Sequence, residues 1–229
     1  MEFQITDSPG FSKLDATFAE GEKLFAQPRS MIYMSTGFTI SAHVGGASGN
    51  ASIVGGVKSM LSGESFATAI YTAKRSGETV SLAPSAIGEI SMLELNGSAG
   101  YYLTKGAYLA HEDGVILTPK FGGMKGWLTK KGIYLLHVSG AGRCFVSSYG
   151  AIIKRTLAEG ERLIVDNEYV LVFADTIRYE LVTASAGIKD SLMSGEGLVN
   201  RYTGPGELYI QTRSRQRGSV MGSILNMAT

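Results

Sequence analysis

The phrase "AEGEKL", Ala19 to Leu24, returns almost letter for letter as "AEGERL", Ala158 to Leu163. Each copy holds a glycine followed ten residues later by a mostly apolar cluster: Gly21 before Met31-Ile32-Tyr33-Met34, and Gly160 before Val170-Leu171-Val172-Phe173. The same spacing, in different letters, sets Gly97 before Ala107-Tyr108-Leu109-Ala110. A second phrase follows each cluster. It reads Gly55-Gly56-Val57-Lys58, then Gly122-Gly123-Met124-Lys125, then Ala186-Gly187-Ile188-Lys189, at spacings of 67 (55 to 122) and 64 (122 to 186) residues. Ser-Gly pairs come next, at Ser62-Gly63, Ser139-Gly140 and Ser194-Gly195. Three structural units in tandem, of roughly 60 to 75 residues each, follow from these offsets.

The glycine-lysine phrase resembles a phosphate-binding loop, but that loop needs glycine directly before lysine and a helix behind it. Here Val57 separates Gly56 from Lys58, and Gly63 ends the next segment after little more than one turn. Three broken nucleotide loops in one chain make little chemical sense, so the phrase reads as a recurrent turn. The first unit carries an insertion from Gly45 to Asn50, and the middle one about ten extra residues around Gly126-Trp127-Leu128-Thr129-Lys130-Lys131-Gly132. Within a unit the pattern is that of strands. Val80 and Leu82 alternate with Thr79, Ser81 and Ala83, giving one buried and one wetter face, while Val170 to Phe173 is apolar on both faces. Sustained helical stripes are scarce, so the chain is expected to be all-β with few, short helices.

Composition agrees. The 229 residues include 30 glycines, about twice the usual ~7% share, as tight turns between many strands require. Lys plus Arg number 21 against 20 Asp plus Glu, which gives no overall field to attract nucleic acid or an anionic membrane. Cys144 is the lone cysteine, so neither an intrachain disulfide nor a cysteine zinc site can form. The acidic start, Met1 to Asp7, lacks an apolar signal core, and no apolar run approaches the ~18 residues of a membrane span. The expectation is a cytoplasmic protein.

"SGEGLVNRYTGPGELYIQT" (Ser194 to Thr212), preceded by "AEGERLIVDNEYVLVF" (Ala158 to Phe173), resembles the signature of the Altered Inheritance of Mitochondria family. The likeness runs from about Phe11 to Arg217 and is strongest in the third unit. Prokaryotic members of that family form a conserved domain of unknown function, and eukaryotic ones are mitochondrial and associated with inner-membrane organisation. The resemblance implies short double-stranded β-helix units, three per chain, similar in fold to the tryptophan RNA-binding attenuation protein. It carries no agreed catalytic residues. The absence of a transit peptide points to a prokaryotic cytoplasm.

Candidate chemistry is thin. Metal-binding double-stranded β-helices use two histidines one residue apart, whereas His43, His111 and His137 stand singly. His111-Glu112-Asp113 before Gly114 reads as a polar turn, and His137 in "YLLHVS" as a half-buried strand residue. Cys144 beside Arg143 invites the question of a lowered pKa, but a thiol in an apolar strand is ordinarily core. Asp113, Asp166, Asp175 and Glu180 form no acid/base pair by spacing alone. Gly195-Glu196-Gly197 and Gly204-Pro205-Gly206 read as turns.

A conspicuous basic cluster is Arg213, Arg215 and Arg217, which alternation sets on one face of an extended segment, as a candidate anion or partner contact. Its plainer reading is a solvated exit from the last strand. The tail from Ser219 to Met227 is expected to pack on protein.

The expectation is therefore a single body over 1–217, made of units at about 11–86, 87–148 and 149–217 around a pseudo-threefold axis, with a tail over 218–229. No catalytic, cofactor or metal residues are assigned. The function expected is that of a non-enzymatic β scaffold or interaction protein, forming a homo-oligomer because each exposed end resembles a surface already buried within the chain. The alternative is a small-ligand or RNA-binding module using clefts between units, and an enzyme ranks third. Nucleic acid and a peripheral membrane surface are weighed as partners and not favoured.

Overall fold

The computed structural model describes residues 1–6, 9–45, 66–121, 134–183 and 198–214. The glycine-lysine phrases, the insertions after Gly45 and around Trp127, the Ser-Gly pairs at 62–63 and 194–195, Gly195-Glu196-Gly197, Arg215, Arg217 and the tail lie outside the described residues. Among the described residues there is no helix, and eighteen strands account for the order.

The first stretch holds β1 (Glu2–Thr6), β2 (Lys13–Phe18), β3 (Lys23–Ala26), β4 (Met31–Met34), β5 (Phe38–Gly45), β6 (Phe66–Ala73) and β7 (Glu78–Leu82). β7 runs antiparallel between β2 and β4, β6 runs antiparallel between β3 and β5, and β1 lies along the outside of β2. The middle stretch holds β8 (Ile90–Asn96), β9 (Tyr101–Thr104), β10 (Tyr108–Glu112), β11 (Val115–Phe121) and the long β12 (Tyr134–Ser147). The first half of β12 lies between β9 and β11, and its second half lies between β8 and β10. It passes from one set of neighbours to the other through Gly140 and Gly142, at φ 92 and 130, values that residues with a Cβ rarely adopt. The last stretch holds β13 (Ile152–Leu157), β14 (Arg162–Asp166), β15 (Val170–Ala174), β16 (Arg178–Thr183), β17 (Leu198–Thr203) and β18 (Gly206–Gln211). Here β18 lies between β13 and β15, and β17 between β14 and β16. The same order of pairings thus occurs in three successive stretches.

The paired phrases that open the sequence reading form matching turns. Gly21 and Gly160 sit at φ 81 and 73. In each turn the glutamate after the glycine reaches back to the alanine two before it: Ala19 N donates to Glu22 Oε2 and Ala158 N to Glu161 Oε2, both at 2.8 Å. The glycine amide then donates to a facing carbonyl, Gly21 to Ala73 (2.9 Å) and Gly160 to Gly204 (3.3 Å). Gly97 does the same with Gly140 at 2.9 Å. Positive φ is what lets the chain reverse there, and the glutamate satisfies an amide the turn would otherwise leave bare.

Two further ladders join the stretches: β3 pairs with β10, and β9 pairs with β15, merging eleven strands into one sheet. Cores cross these junctions. Leu14, Phe18, Leu24 and Leu82 pack with Leu109, Ala110 and Phe145 of the middle stretch, and Leu103, Tyr108 and Val146 pack with Leu171, Val172 and Tyr209 of the last. β15 is buried along its whole length, as an apolar run on both faces requires. β7 departs from the alternation expected of it: Ser81 is as buried as Val80 and Leu82. As the central strand it has Asp15 of β2 on one side and Tyr33 of β4 on the other, and these cover the wetter face.

Candidate functional site

Two clefts open at the two junctions between stretches. The larger, about 490 Å³, lies where β9 meets the last stretch and is lined by Tyr102, Asp175, Ile177, Arg178, Tyr179 and Glu180, with Thr203. Its Asp175 Oδ2 lies 3.1 Å from His137 Nε2 and accepts the Gly100 amide at 2.9 Å. A Cβ on Gly100 would come within 2.8 Å of His137 Nε2 and 3.0 Å of Asp175 Oδ2, so glycine makes room for the pair. The Tyr102 ring tilts against the imidazole at 4.8 Å. Glu180 is bound to Arg201 (Nη2 to Oε1, 2.7 Å), which leaves Arg178 as a lining cation. Through Asp175 the His137–Asp175 pair is bonded to the Gly100 amide, the geometry of a clamp on the turn before β9.

The smaller cleft, about 290 Å³, is lined by Met1, Gly21, Glu22, Lys23, Glu112 and Asp113 at the β3–β10 junction. Two of its carboxylates, Glu22 and Glu112, are engaged in ion pairs. Arg143 grips Glu112 with Nε (2.9 Å to Oε2) and Nη2 (2.7 Å to Oε1), and donates from Nη2 to Met1 O at 3.0 Å. Its guanidinium lies 4.5 Å from the Phe3 ring centre. The Met1 ammonium lies 2.6 Å from Glu22 Oε1. The bond to Glu112 outweighs burial and raises the Arg143 pKa.

Glu207, from the Gly-Pro-Gly-Glu phrase, anchors a third cluster. Its Oε2 accepts from Tyr209 Oη (2.8 Å) and Tyr101 Oη (3.1 Å), and its Oε1 lies 2.6 Å from Lys154 Nζ. Burial pushes the Glu207 carboxyl up, but Lys154, Tyr209 and Tyr101 together hold it below its ordinary value. Burial, and then the Glu207 charge, pushes Tyr101 to about 12. The preceding Gly204–Pro205–Gly206 is a turn, with Gly206 at φ 148.

Arg213 is exposed at the end of the described chain, where its amide donates to Tyr149 O (3.1 Å) and its guanidinium lies 5.8 Å from the Tyr149 ring centre. It is not brought to either cleft lining. Arg215 and Arg217 lie outside the described residues. His111 corrects the turn expected at His111-Glu112-Asp113: it is a buried β10 residue, stacked on Phe25 at 4.8 Å and 2.7 Å from Tyr108 Oη, and only Asp113-Gly114 turns. The junction with β3 extends the strand through Glu112. Burial raises the Cys144 thiol far above its usual value, the direction of an unreactive group. Among the described residues no three His, Cys, Asp or Glu side chains converge as metal ligands. No helix there is long and apolar enough to cross a membrane.

The model of the family described as "Mitochondrial biogenesis AIM24" matches residues 3–213. The chain belongs to this family. It is 31% identical over 222 residues to an uncharacterized protein of Streptococcus pyogenes serotype M6, covering 93% of this chain and 86% of the relative. The crystal structure of protein SPYM3_0169 from Streptococcus pyogenes is similar throughout, with a TM-score of 0.75 and 27% identity over 100% of this chain and 99% of that one. The matched residues include Glu207, whose cluster with Tyr101 and Lys154 was not readable from spacing. The Gly-Pro-Gly-Glu phrase signals a turn, and only the pairing of β18 with β13 and β15 shows what the glutamate beyond it holds.

Proposed function

We propose that the protein is a non-enzymatic, self-associating β scaffold of the cytoplasm, built as three tandem short double-stranded β-helix units turned about one axis, the first and last left unjoined among the described strands. The observation that carries this reading is the way the chain joins its own stretches: bare strand edges laid together over a common apolar core, at β3–β10 and again at β9–β15. A body assembled by docking like edges is suited to docking further ones. Parallel bridges that link Phe11 to Gly88 and Gly88 to Gly150, just before β2, β8 and β13, support a shared axis. The polar clusters support the same reading, because Glu112, Glu207 and Asp175 are engaged in holding strands and turns together. A native mass spectrum of the untagged protein tests it. A discrete homo-oligomer without added mass is expected, and a monomer carrying a retained small molecule or metal would overturn it.

The larger cleft favours a second reading, a ligand- or RNA-binding module in which Tyr102 and Arg178 offer an aromatic face and a cation. Oligonucleotide binding that weakens with salt and is lost on replacing Arg178, Arg213 and Arg215 would establish it in place of the first.

A further inference from the structure

β4 is bare where its counterparts are buried. Tyr108, Leu109 and Ala110 of β10 and Val170 to Phe173 of β15 are all under a tenth exposed, whereas Met31, Ile32 and Tyr33 are 40, 52 and 52% exposed. The cause is a missing neighbour. β10 has β3 along its outer edge and β15 has β9, while among the described strands β4 pairs with β7 alone and β14 with β17 alone. β14 stands in the last stretch where β3 and β9 stand in the others. The chain therefore ends in the two separate halves of a junction that it has already made twice.

We propose that these halves join between copies of the chain, β14 of one copy pairing antiparallel with β4 of the next; this rests on the self-association proposed above and specifies its surface. The existing junctions set the register. They place Ala26 opposite Ala110 and Phe25 opposite His111, then Leu103 opposite Val172 and Tyr102 opposite Phe173. Carried onto the free strands, that register puts Val165 opposite Tyr33 and Ile164 opposite Met34.

Backbone direction agrees. Gly204 N donates to Glu161 O at 3.0 Å, so alternation turns the Ile164 amide and carbonyl away from β17. Ser35 N donates to Thr79 O at 2.9 Å, which likewise turns the Met34 amide and carbonyl away from β7. In the closed β3–β10 junction, the Leu109 carbonyl, at the place Ile32 holds in β4, accepts the Gln27 amide at 2.7 Å.

Side chains agree as well. Phe25 stacks on His111 at 4.8 Å and Tyr102 leans on Phe173 at 5.3 Å; in the new junction Ile164, 56% exposed, seats on Met34. β4 carries no charge and no proline, the usual guards of a strand edge. Its bulge between Met31 and Tyr33 is no guard, because β10 and β15 are bulged at the same place and still pair. The partner is a second copy because the complementary edge, with its register and polarity, is on this chain. Such a head-to-tail contact builds a closed ring or an open filament.

Single variants Met34→Pro and Ile164→Pro each remove one outward amide and leave the opposite edge intact. In native mass spectra and sedimentation the wild type should assemble as concentration rises, and each variant alone should remain monomeric. An equimolar mixture should give a 1:1 heterodimer and nothing larger, since it holds one working β14 and one working β4. Hydrogen exchange on the wild type needs no variant: the Met34 amide should become protected as concentration rises. Assembly that survives both prolines would remove this interface while leaving self-association standing. A monomer at every concentration would remove both. Protection of that amide already in a dilute monomer would show the edge covered from within the chain, and would equally overturn the proposal.

Discussion

Phe145 belongs by sequence to the middle stretch, on β12, yet its side chain, 0% exposed, packs in the core formed by Leu14, Phe18, Leu24 and Leu82 of the first stretch. Its ring also tilts against Phe3 of β1 at 4.6 Å. Phe145→Ala removes a whole buried ring and leaves its walls held in paired strands, so little collapse can fill the space. The cost expected for such a truncation is about 3–5 kcal/mol. For a chain of this length each kcal/mol moves the melting point by about 2–4 °C, so the fall should be on the order of 10 °C. Ile116→Ala is the control: the side chain is 59% exposed, and the change should stay within about 0.5 kcal/mol.

Urea unfolding followed by circular dichroism, checked for refolding, and calorimetry should show one transition that moves as a whole, because the core spans the junction. Two separated transitions, with only one displaced by Phe145→Ala, would refute the shared core. A loss below about 1 kcal/mol would refute the packing argument itself, given the transfer free energy of a buried aromatic side chain.

Truncation after Ala186 removes β17 and β18, and with them Tyr209 from the middle core; the product should be insoluble or bind hydrophobic dyes, and a soluble fragment with a sharp melt would contradict the shared packing. Glu207 is held below its ordinary pKa, so its contribution to stability is present above the unfolded carboxylate value of about 4.3 and is lost as pH falls through the lower folded value. The stability gap between wild type and Glu207→Gln should therefore be constant near neutrality and shrink only in acid, as urea midpoints measured across pH would report. Cys144, fully buried with its thiol pKa raised, should resist a thiol reagent until the protein opens. Labelling at the global unfolding rate is expected, and rapid labelling of the folded protein would contradict its placement.

Much of the local order was legible. Leu14, Ala16 and Phe18 alternate inward from Lys13, Asp15 and Thr17 because side chains in a strand repeat every two residues. The turns at Gly21 and Gly160 could be read because reversal needs positive φ and a nearby acceptor, both written within four residues. What stayed hidden was every fact that depends on a distant neighbour. His137 meets Asp175 across 38 residues and Tyr101 meets Glu207 across 106, and no local period encodes either meeting. His111-Glu112 looked like a turn because its letters are polar, and became strand because β3 lies alongside and Arg143 takes the carboxylate.

The contrast between β4 and β15 shows where sequence stops. Met31 to Met34 and Val170 to Phe173 are both unbroken apolar runs, and by sequence alone each determines a strand with two apolar faces. Whether those faces are buried was decided only by tertiary structure. β15 has β9 along its edge, whereas β4 is the last strand of its sheet among the described residues. Alternation is set by the covalent geometry of the strand itself, but burial needs a second edge, and which edges meet is fixed only when the whole chain has folded.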